Sequence, residues 1–279
     1  MKHALVQAGR FLRGAPPTAV FGLVVVVVYS VLALLAPLLA PYGETQIVAG
    51  EYAPWSLAHP LGTDNLGRDM LTRLIYGARN TIGIAIVTTV LAFLVGGVGG
   101  LVAGTLRGWV DQLLGRVVDV LMAVPSLIFT LLLLAIFGTS VLSMIVIIAG
   151  VESTRIFRLA RALALGIGVL DYVDAARLRG EGLAWLIARE ILPNAVAPLI
   201  AEFGLRFCFV FLFIAGLSFL GLGIQPPTAD WGSMVRESAA LISYGDITPL
   251  LPAGAIALLT VGVNFIVDWM LHRSSGLND

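Results

Sequence analysis

Long apolar stretches constrain this chain more than any other feature. A helix needs about 20 residues to cross the hydrocarbon core of a bilayer. Six stretches reach or approach that length, at 18–40, 80–105, 117–138, 141–160, 195–221 and 250–271. Because 58% of the residues are hydrophobic and only 12% are charged, the composition also lies outside the usual range of soluble domains. The sequence therefore predicts an all-α integral membrane protein with six transmembrane helices.

Basic residues are distributed unevenly between the segments that join these stretches. If the amino terminus is cytoplasmic, the inside segments hold twelve Lys and Arg residues and the outside segments hold four. Cytoplasmic loops of membrane proteins carry the excess of basic residues, so this count favours a multi-pass chain with both termini in the cytoplasm. The formal net charge is zero, which offers no electrostatic basis for binding nucleic acid.

Residues that commonly form disulfides, bind metals or bind nucleotide phosphates are sparse in this chain. Cys208 is the single cysteine and the three histidines lie in different segments, so we expect neither a disulfide nor a metal site. A P-loop needs a lysine after a glycine-rich turn, whereas the only lysine is Lys2 and no glycine precedes it. We therefore expect no catalytic residue and no bound cofactor in this chain, and any ATP hydrolysis must come from another polypeptide.

A charged, helix-forming segment at 171–193 separates the fourth and fifth apolar stretches. Asp171 is a candidate N-cap, and Gly180 stands where the end of a helix favours a left-handed residue. Two amphipathic helices are expected, at about 172–179 and 183–192. Pro193 is then expected to open the fifth span, since the first turn of a helix needs no N–H at that position. Such a segment is either a docking surface or an ordinary solvated connector.

Polar residues inside or beside the spans form two further candidate sites. Glu202 and Arg206 are an i,i+4 pair in the fifth span, where they border a translocation path or form a salt bridge to a neighbouring helix. In the first outer segment, at about 43–79, Asp64, Arg68 and Asp69 are candidates for contact with a partner protein. The alternative for these three is local, with Asp64 as an N-cap and Arg68 paired within the same helix.

Three structural expectations accompany these candidates. A short amphipathic helix should begin near Leu66 and lie along the outer surface. Trp231, in the second outer segment at about 223–249, is expected at the level of the lipid headgroups. The second span contains small residues at four-residue spacing, which favour close helix packing. These are Gly96, Gly100 and Gly104.

The 171–193 segment resembles the EAA loop of bacterial ABC importer permeases. That motif reads E-A-A, three residues, G, about nine residues and then I-x-L-P, and it is matched here by Asp174, Ala175, Ala176, Gly180, Leu192 and Pro193. Aspartate replaces glutamate at 174, and Glu190 occupies the isoleucine position, with Ile191 one residue later. Further blocks resemble the C-type permease of dipeptide, oligopeptide and nickel importers, at 59–69, 217–227 and 230–234.

The resemblance implies a type I ABC importer transmembrane fold, with residues 1–58 preceding a five-helix core at 59–279. It also implies a cytoplasmic coupling helix, whose ATPase-contacting residues are Asp174, Ala175, Ala176, Arg177, Arg179, Gly180, Leu192 and Pro193. The implied partners are a second, B-type permease, two ATPases that use ATP and magnesium, and an extracytoplasmic binding protein. The implied location is the bacterial inner membrane.

The implied function is half of a translocation path for di- or oligopeptides, driven by alternating access. The same role for nickel or another small solute is an alternative. A secondary transporter is a further one, although the sequence lacks the internal repeat that such proteins show.

Overall fold

The structure, a computed structural model, describes residues 15–274 of the chain. The described part is helical, and its only β pairing consists of two isolated bridges, Ile47 with Arg68 and Thr63 with Asp69. The basic residues Lys2, Arg10 and Arg13, which contribute to the predicted orientation, lie outside the described residues.

Eleven α-helices follow one another along the described chain, with one π-helical and one 3-10 segment. In order they are α1 (Pro17–Leu34), α2 (Ala36–Leu39), α3 (Met70–Leu106), α4 (Gly108–Met122), α5 (Ser126–Phe137), α6 (Val141–Ile167), α7 (Asp171–Leu178), α8 (Leu183–Trp185), the π-helix Leu186–Ile191, α9 (Leu192–Phe219), α10 (Trp231–Ser238), the 3-10 helix Ala239–Tyr244 and α11 (Leu250–Ser274).

Within residues 15–274, four continuous helical stretches are long and apolar enough to cross a membrane. They are Pro17–Leu34, Met70–Leu106, Leu183–Phe219 and Leu250–Arg273. A fifth candidate is the bent pair α4 and α5. The helix α6 has 27 residues, but Glu152 and three arginines make it too polar to count by composition. The described part thus has four or five candidate spans, fewer than the six predicted.

The span predicted at 117–138 is not one helix. α4 ends at Met122 and α5 begins at Ser126, and the two axes differ by 88°. Pro125 explains the break, because it lacks an N–H and disfavours the helical conformation of the preceding residue, Val124. Hydropathy averaged over the whole stretch did not detect this interruption.

The chain forms two compact units, whose boundaries fall within α3 and α9. The first unit contains residues up to Ala85 and from Phe211 onward. In it, α1 packs along α11 so closely that a Cβ on Gly22 would collide with the carbonyl oxygen of Gly262. The first unit also contains the two segments that were predicted to lie outside.

The second unit comprises Ile86–Val210. Here α6 lies against the second half of α3, and the predicted close glycine packing is confirmed. A Cβ on Gly96 or Gly100 would overlap the carbonyl oxygen of Ser153 or Phe157, and one on Gly104 would come within 2.7 Å of the Ala164 Cβ. Glycine at these positions allows the two backbones to approach directly.

Candidate functional site

The helix α7 has a buried face and an exposed face. Val173 and Ala176 are fully buried and pack with Leu186, which anchors the helix to the second unit. The exposed residues recur at helical spacing and form a face of the helix that we call the α7 face, consisting of Asp171, Asp174, Ala175 and Leu178, with Arg179 at the helix end. A short helix that is buried on one side and exposed to solvent on the other is suited to docking against a partner protein.

Both ends of α7 are set by local backbone geometry. Gly180 has φ +85°, which confirms the predicted left-handed residue, and the Glu181 N–H donates to the Ala176 carbonyl across the turn at 3.3 Å. The prediction for the other end was wrong. Asp171 is the first helical residue and Leu170 is the N-cap, so the helix begins without a side-chain cap.

The structure divides the residues predicted to contact an ATPase. Ala176 is fully buried, so the prediction that both alanines form a contact patch was wrong, and only Ala175 is exposed. The side chain of Asp174 is 59% exposed, and its carboxylate accepts a hydrogen bond from Arg177 Nη1 at 3.3 Å. Leu192 and Pro193 are also exposed.

Sequence reasoning missed the most exposed apolar residue of this segment. Leu178 is 90% exposed at the last position of α7, so nearly its whole side chain is available for contact with a partner. Its spacing from Asp171, Asp174 and Ala175 would have placed it on the same helical face. The α7 face therefore combines charge with one apolar contact.

The connector after α7 runs into α9 without a break in helicity. The prediction that Pro193 opens the fifth span was wrong, because helical structure begins ten residues earlier, at Leu183. The residues Leu186–Ile191 form a π-turn, in which Leu192 N–H donates to the carbonyl of Ile187. Ile191 is fully buried against Leu101, Ala160 and Ala164, which belong to α3 and α6.

Glu202 and Arg206 form the predicted pair, and Glu152 joins them. Arg206 Nε lies 2.6 Å from Glu202 Oε1, and Arg206 Nη1 donates to Glu152 Oε2 of α6 at 3.3 Å. The guanidinium also lies 4.7 Å from the centre of the Phe209 ring. Sequence reasoning left Glu152 out of this site, because it lies fifty-four residues from Arg206. The group holds two carboxylates and one guanidinium.

Asp64, Arg68 and Asp69 are buried side chains in the first unit, with 5%, 3% and 1% exposure. Asp64 Oδ2 accepts from Arg68 Nε at 2.6 Å and lies 3.2 Å from Arg73 Nε. Both arginines also approach Glu237 of α10, at 3.6 Å and 3.8 Å. A buried guanidinium needs such compensation, so this network ties the outer segment to α10.

The helix that was predicted to begin near Leu66 begins at Met70. Asp64 is not its N-cap, because Asp69 takes that role and accepts the Thr72 N–H at 2.8 Å. The helix continues as α3 to Leu106, so it is no separate surface helix. The carboxylate of Asp64 instead turns the preceding loop by accepting the Leu66 and Arg68 N–H groups, both at 2.9 Å.

Trp231 is a core residue of the first unit rather than a membrane-interface anchor. It is 2% exposed, its Nε1 donates to the Leu74 carbonyl at 2.9 Å, and Gly77 leaves room for its ring. Asp230 beside it caps α10 by accepting the Ser233 N–H at 2.9 Å. Burial raises the pKa of the Asp230 carboxyl group, although hydrogen bonds such as the one from Thr81 oppose the rise.

Two family models match the chain. The model described as the binding-protein-dependent transport system inner membrane component matches residues 96–275. The model of the N-terminal TM domain of oligopeptide transport permease C matches residues 15–60.

Curated relatives match over most of their length. The dipeptide transport system permease protein DppC of Alkalihalophilus pseudofirmus is 34% identical over 252 residues, which cover 90% of this chain and 83% of that protein. The di/tripeptide transport system permease protein DppC of Pseudomonas aeruginosa is 35% identical, with 90% and 85% covered.

A solved structure described as an amino acid ABC transporter with histidines has a similar fold. It matches with a TM-score of 0.53 and 19% identity, over 73% of this chain and 94% of the solved chain. Because the family model covers most of the chain and the relatives exceed 30% identity, the chain belongs to the family of binding-protein-dependent transport system inner-membrane components.

Proposed function

We propose that this chain is the C-type permease subunit of an ATP-driven peptide importer and forms half of its translocation path. The observation that carries the proposal is the α7 face, an exposed docking surface on a helix whose other side is buried. The cargo class is supported by the relatives, which are named as dipeptide and di/tripeptide permeases.

The proposed assembly places six spans in a bacterial inner membrane, with both termini in the cytoplasm. α6 completes the six, because its arginines can extend their charged ends to the membrane surface. Residues 59–279 form the five-helix core, and residues 1–58 contain the additional first span. The distribution of basic residues supports this orientation.

We propose a second, B-type permease, two ATPases and an extracytoplasmic binding protein as partners. This chain is the non-catalytic subunit, and ATP and magnesium are held by the ATPases. The lack of a P-loop in the sequence supports this division of roles.

Coupling follows from how α7 is attached. When the ATPases close on ATP, they displace α7 through Asp174, Ala175, Leu178 and Arg179. Val173 and Ala176 are packed against Leu186, so the displacement reaches the connector as a rigid movement. Ile191 then carries it to α3 and α6, because its side chain is buried between them. Alternating access results when these helices move together.

In the outer segments, the Asp64, Arg68 and Asp69 side chains act indirectly. Since they are buried, a binding protein or second permease contacts the exposed residues that this network holds in place, such as Leu66 at 50% exposure. These three residues are therefore proposed as positioning residues for the partner surface.

Glu202 and Arg206 are proposed to border the translocation path. Arg206→Gln should lower stability by about 3 kcal/mol, because two carboxylates lose the charge between them. Replacing all three charges, as Glu152→Gln, Glu202→Gln and Arg206→Gln together, should restore assembly, while ATP-dependent uptake stays about tenfold below the unmodified transporter. Thermal unfolding and uptake by proteoliposomes measure the two effects. Full uptake by the triple variant would instead assign the group a purely structural role.

Reconstitution tests the function directly. The chain, its partner permease, both ATPases and the binding protein are placed in liposomes, and uptake of a labelled dipeptide is measured with and without ATP. We expect uptake only with ATP and with every subunit present. Uptake of nickel ions but not of peptide would show that the cargo is a metal ion and not a peptide. Transport by the isolated chain under a proton gradient would contradict the proposal that the protein is part of an ATP-driven importer.

A further inference from the structure

A cavity of about 310 Å³ opens between α4 and α6 in the second unit. Two buried apolar side chains, Val118 and Phe157, contribute to its lining. The rest of the lining is mostly polar or charged, with residues from both helices. None of these residues belongs to the α7 face or to the Glu152, Glu202 and Arg206 group.

The charges in the lining do not balance. Asp111 forms an ion pair with Arg161, which donates hydrogen bonds to both carboxylate oxygens. The distance from Arg161 Nη2 to Asp111 Oδ2 is 2.7 Å. Asp119 also acts electrostatically on Arg161. Within residues 15–274, Arg116 makes no ion pair or hydrogen bond, and the one hydrogen bond of the Arg158 side chain goes to the sulfur of Met122 at 3.8 Å. Three arginines and two aspartates leave one net positive charge.

The outer face of α4 beside the cavity is apolar and bare. Leu113, Val117 and Val120 recur at helical spacing and are 53%, 49% and 71% exposed. Trp109, one turn earlier, is 74% exposed. Exposed apolar residues on one face suit contact with acyl chains, and tryptophan is enriched where headgroups meet the hydrocarbon core. A ligand here meets charge in the cavity and apolar surface at its rim.

We propose that this cavity binds the phosphodiester headgroup of an anionic phospholipid, with its acyl chains along the outer face of α4. The single negative charge of a phosphodiester matches the single excess positive charge. The planar guanidinium forks of Arg116 and Arg158 suit phosphate oxygens, and basic pockets between membrane helices bind such headgroups. The apolar rim favours a lipid over a soluble phosphate. This inference is independent of the cargo.

Lipid retention by the assembled transporter tests the proposal. The complex is stripped of lipid in detergent, phosphatidylglycerol or phosphatidylcholine is added at equal concentration, and bound lipid is counted by native mass spectrometry. We expect preferential retention of phosphatidylglycerol. The double variant Arg116→Gln with Arg158→Gln should bind it about tenfold more weakly or worse, since charged hydrogen bonds are lost. The corresponding double lysine variant should retain part of the preference, because the positive charges remain.

Two further variants and a competition with inorganic phosphate separate the alternatives. Arg155→Gln removes an exposed arginine from the same helix but outside the cavity lining, and it should leave the preference unchanged. Leu113→Ser with Val117→Ser should weaken retention of the lipid, because the acyl-chain contact is reduced. Equal retention of both lipids, an unchanged preference in the glutamine variant, or full displacement by millimolar inorganic phosphate would each overturn the lipid site.

Discussion

Leu178→Ala is expected to separate this permease from its ATPases while leaving its fold intact. The side chain is 90% exposed and so contributes little to folding, but it is the large apolar group of the α7 face. Truncating a central apolar contact costs about 2 kcal/mol or more at an interface, which corresponds to roughly thirtyfold in affinity. Copurification of the ATPases should fall accordingly, and ATP-dependent peptide uptake should be lost.

Tyr244→Ala supplies the matched control for that experiment. Tyr244 is 86% exposed in the first unit, within the second outer segment, which is predicted to lie on the extracytoplasmic side. Its removal should therefore not change ATPase binding. Thermal unfolding of both variants should equal that of the unmodified protein. If the Leu178 variant retains full ATPase binding and uptake, the α7 face does not mediate coupling through this residue.

Gly100→Ala is expected to destabilise the second unit strongly for so small a change. The added Cβ would overlap the Phe157 carbonyl oxygen and lie 2.8 Å from the Ala160 Cβ, so α6 must move away from α3. Overpacking of this kind costs about 1–3 kcal/mol, although alanine returns about 0.5–1 kcal/mol through its better helix propensity. The loss should appear as a lower midpoint of thermal unfolding in detergent.

Gly97→Ala provides the comparison within the same helix. Apart from its chain neighbours and the adjacent backbone of α3 itself, no atom lies within 4 Å of the position its Cβ would take. Only the gain in helix propensity therefore remains. We expect its unfolding midpoint to be unchanged or slightly higher. Equal midpoints for the Gly97 and Gly100 variants would show that α3 and α6 tolerate separation, and the account of close glycine packing would then be wrong.

The local structure of the 171–193 segment could be predicted only where short-range rules apply. The left-handed conformation of Gly180 follows from its position after a helical segment, and it is observed. The choice between Ala175 and Ala176 as exposed residues depends on which side of α7 meets Leu186, and that contact is tertiary. The motif alone treats the two alanines as equivalent.

The displaced isoleucine of the motif has a structural explanation. Ile191 follows the expected position by one residue, and this is where the helix contains a π-turn. Because a π-turn holds more residues than an α-turn, Ile191 faces the core and Glu190 is partly exposed. Leu192 and Pro193 keep the spacing of the family pattern, so only its isoleucine position differs in this chain.

Hydrophobic stretches, turn residues and small-residue spacing determined the membrane class, the helical content and the close packing of α3 on α6, because these are properties of neighbouring residues. Only the tertiary structure decided the position of Trp231 in the core, the burial of the Asp64 and Arg68 side chains, and the addition of Glu152 to Arg206. Each depends on groups far apart in sequence, whose desolvation must be compensated by partners that local patterns do not specify.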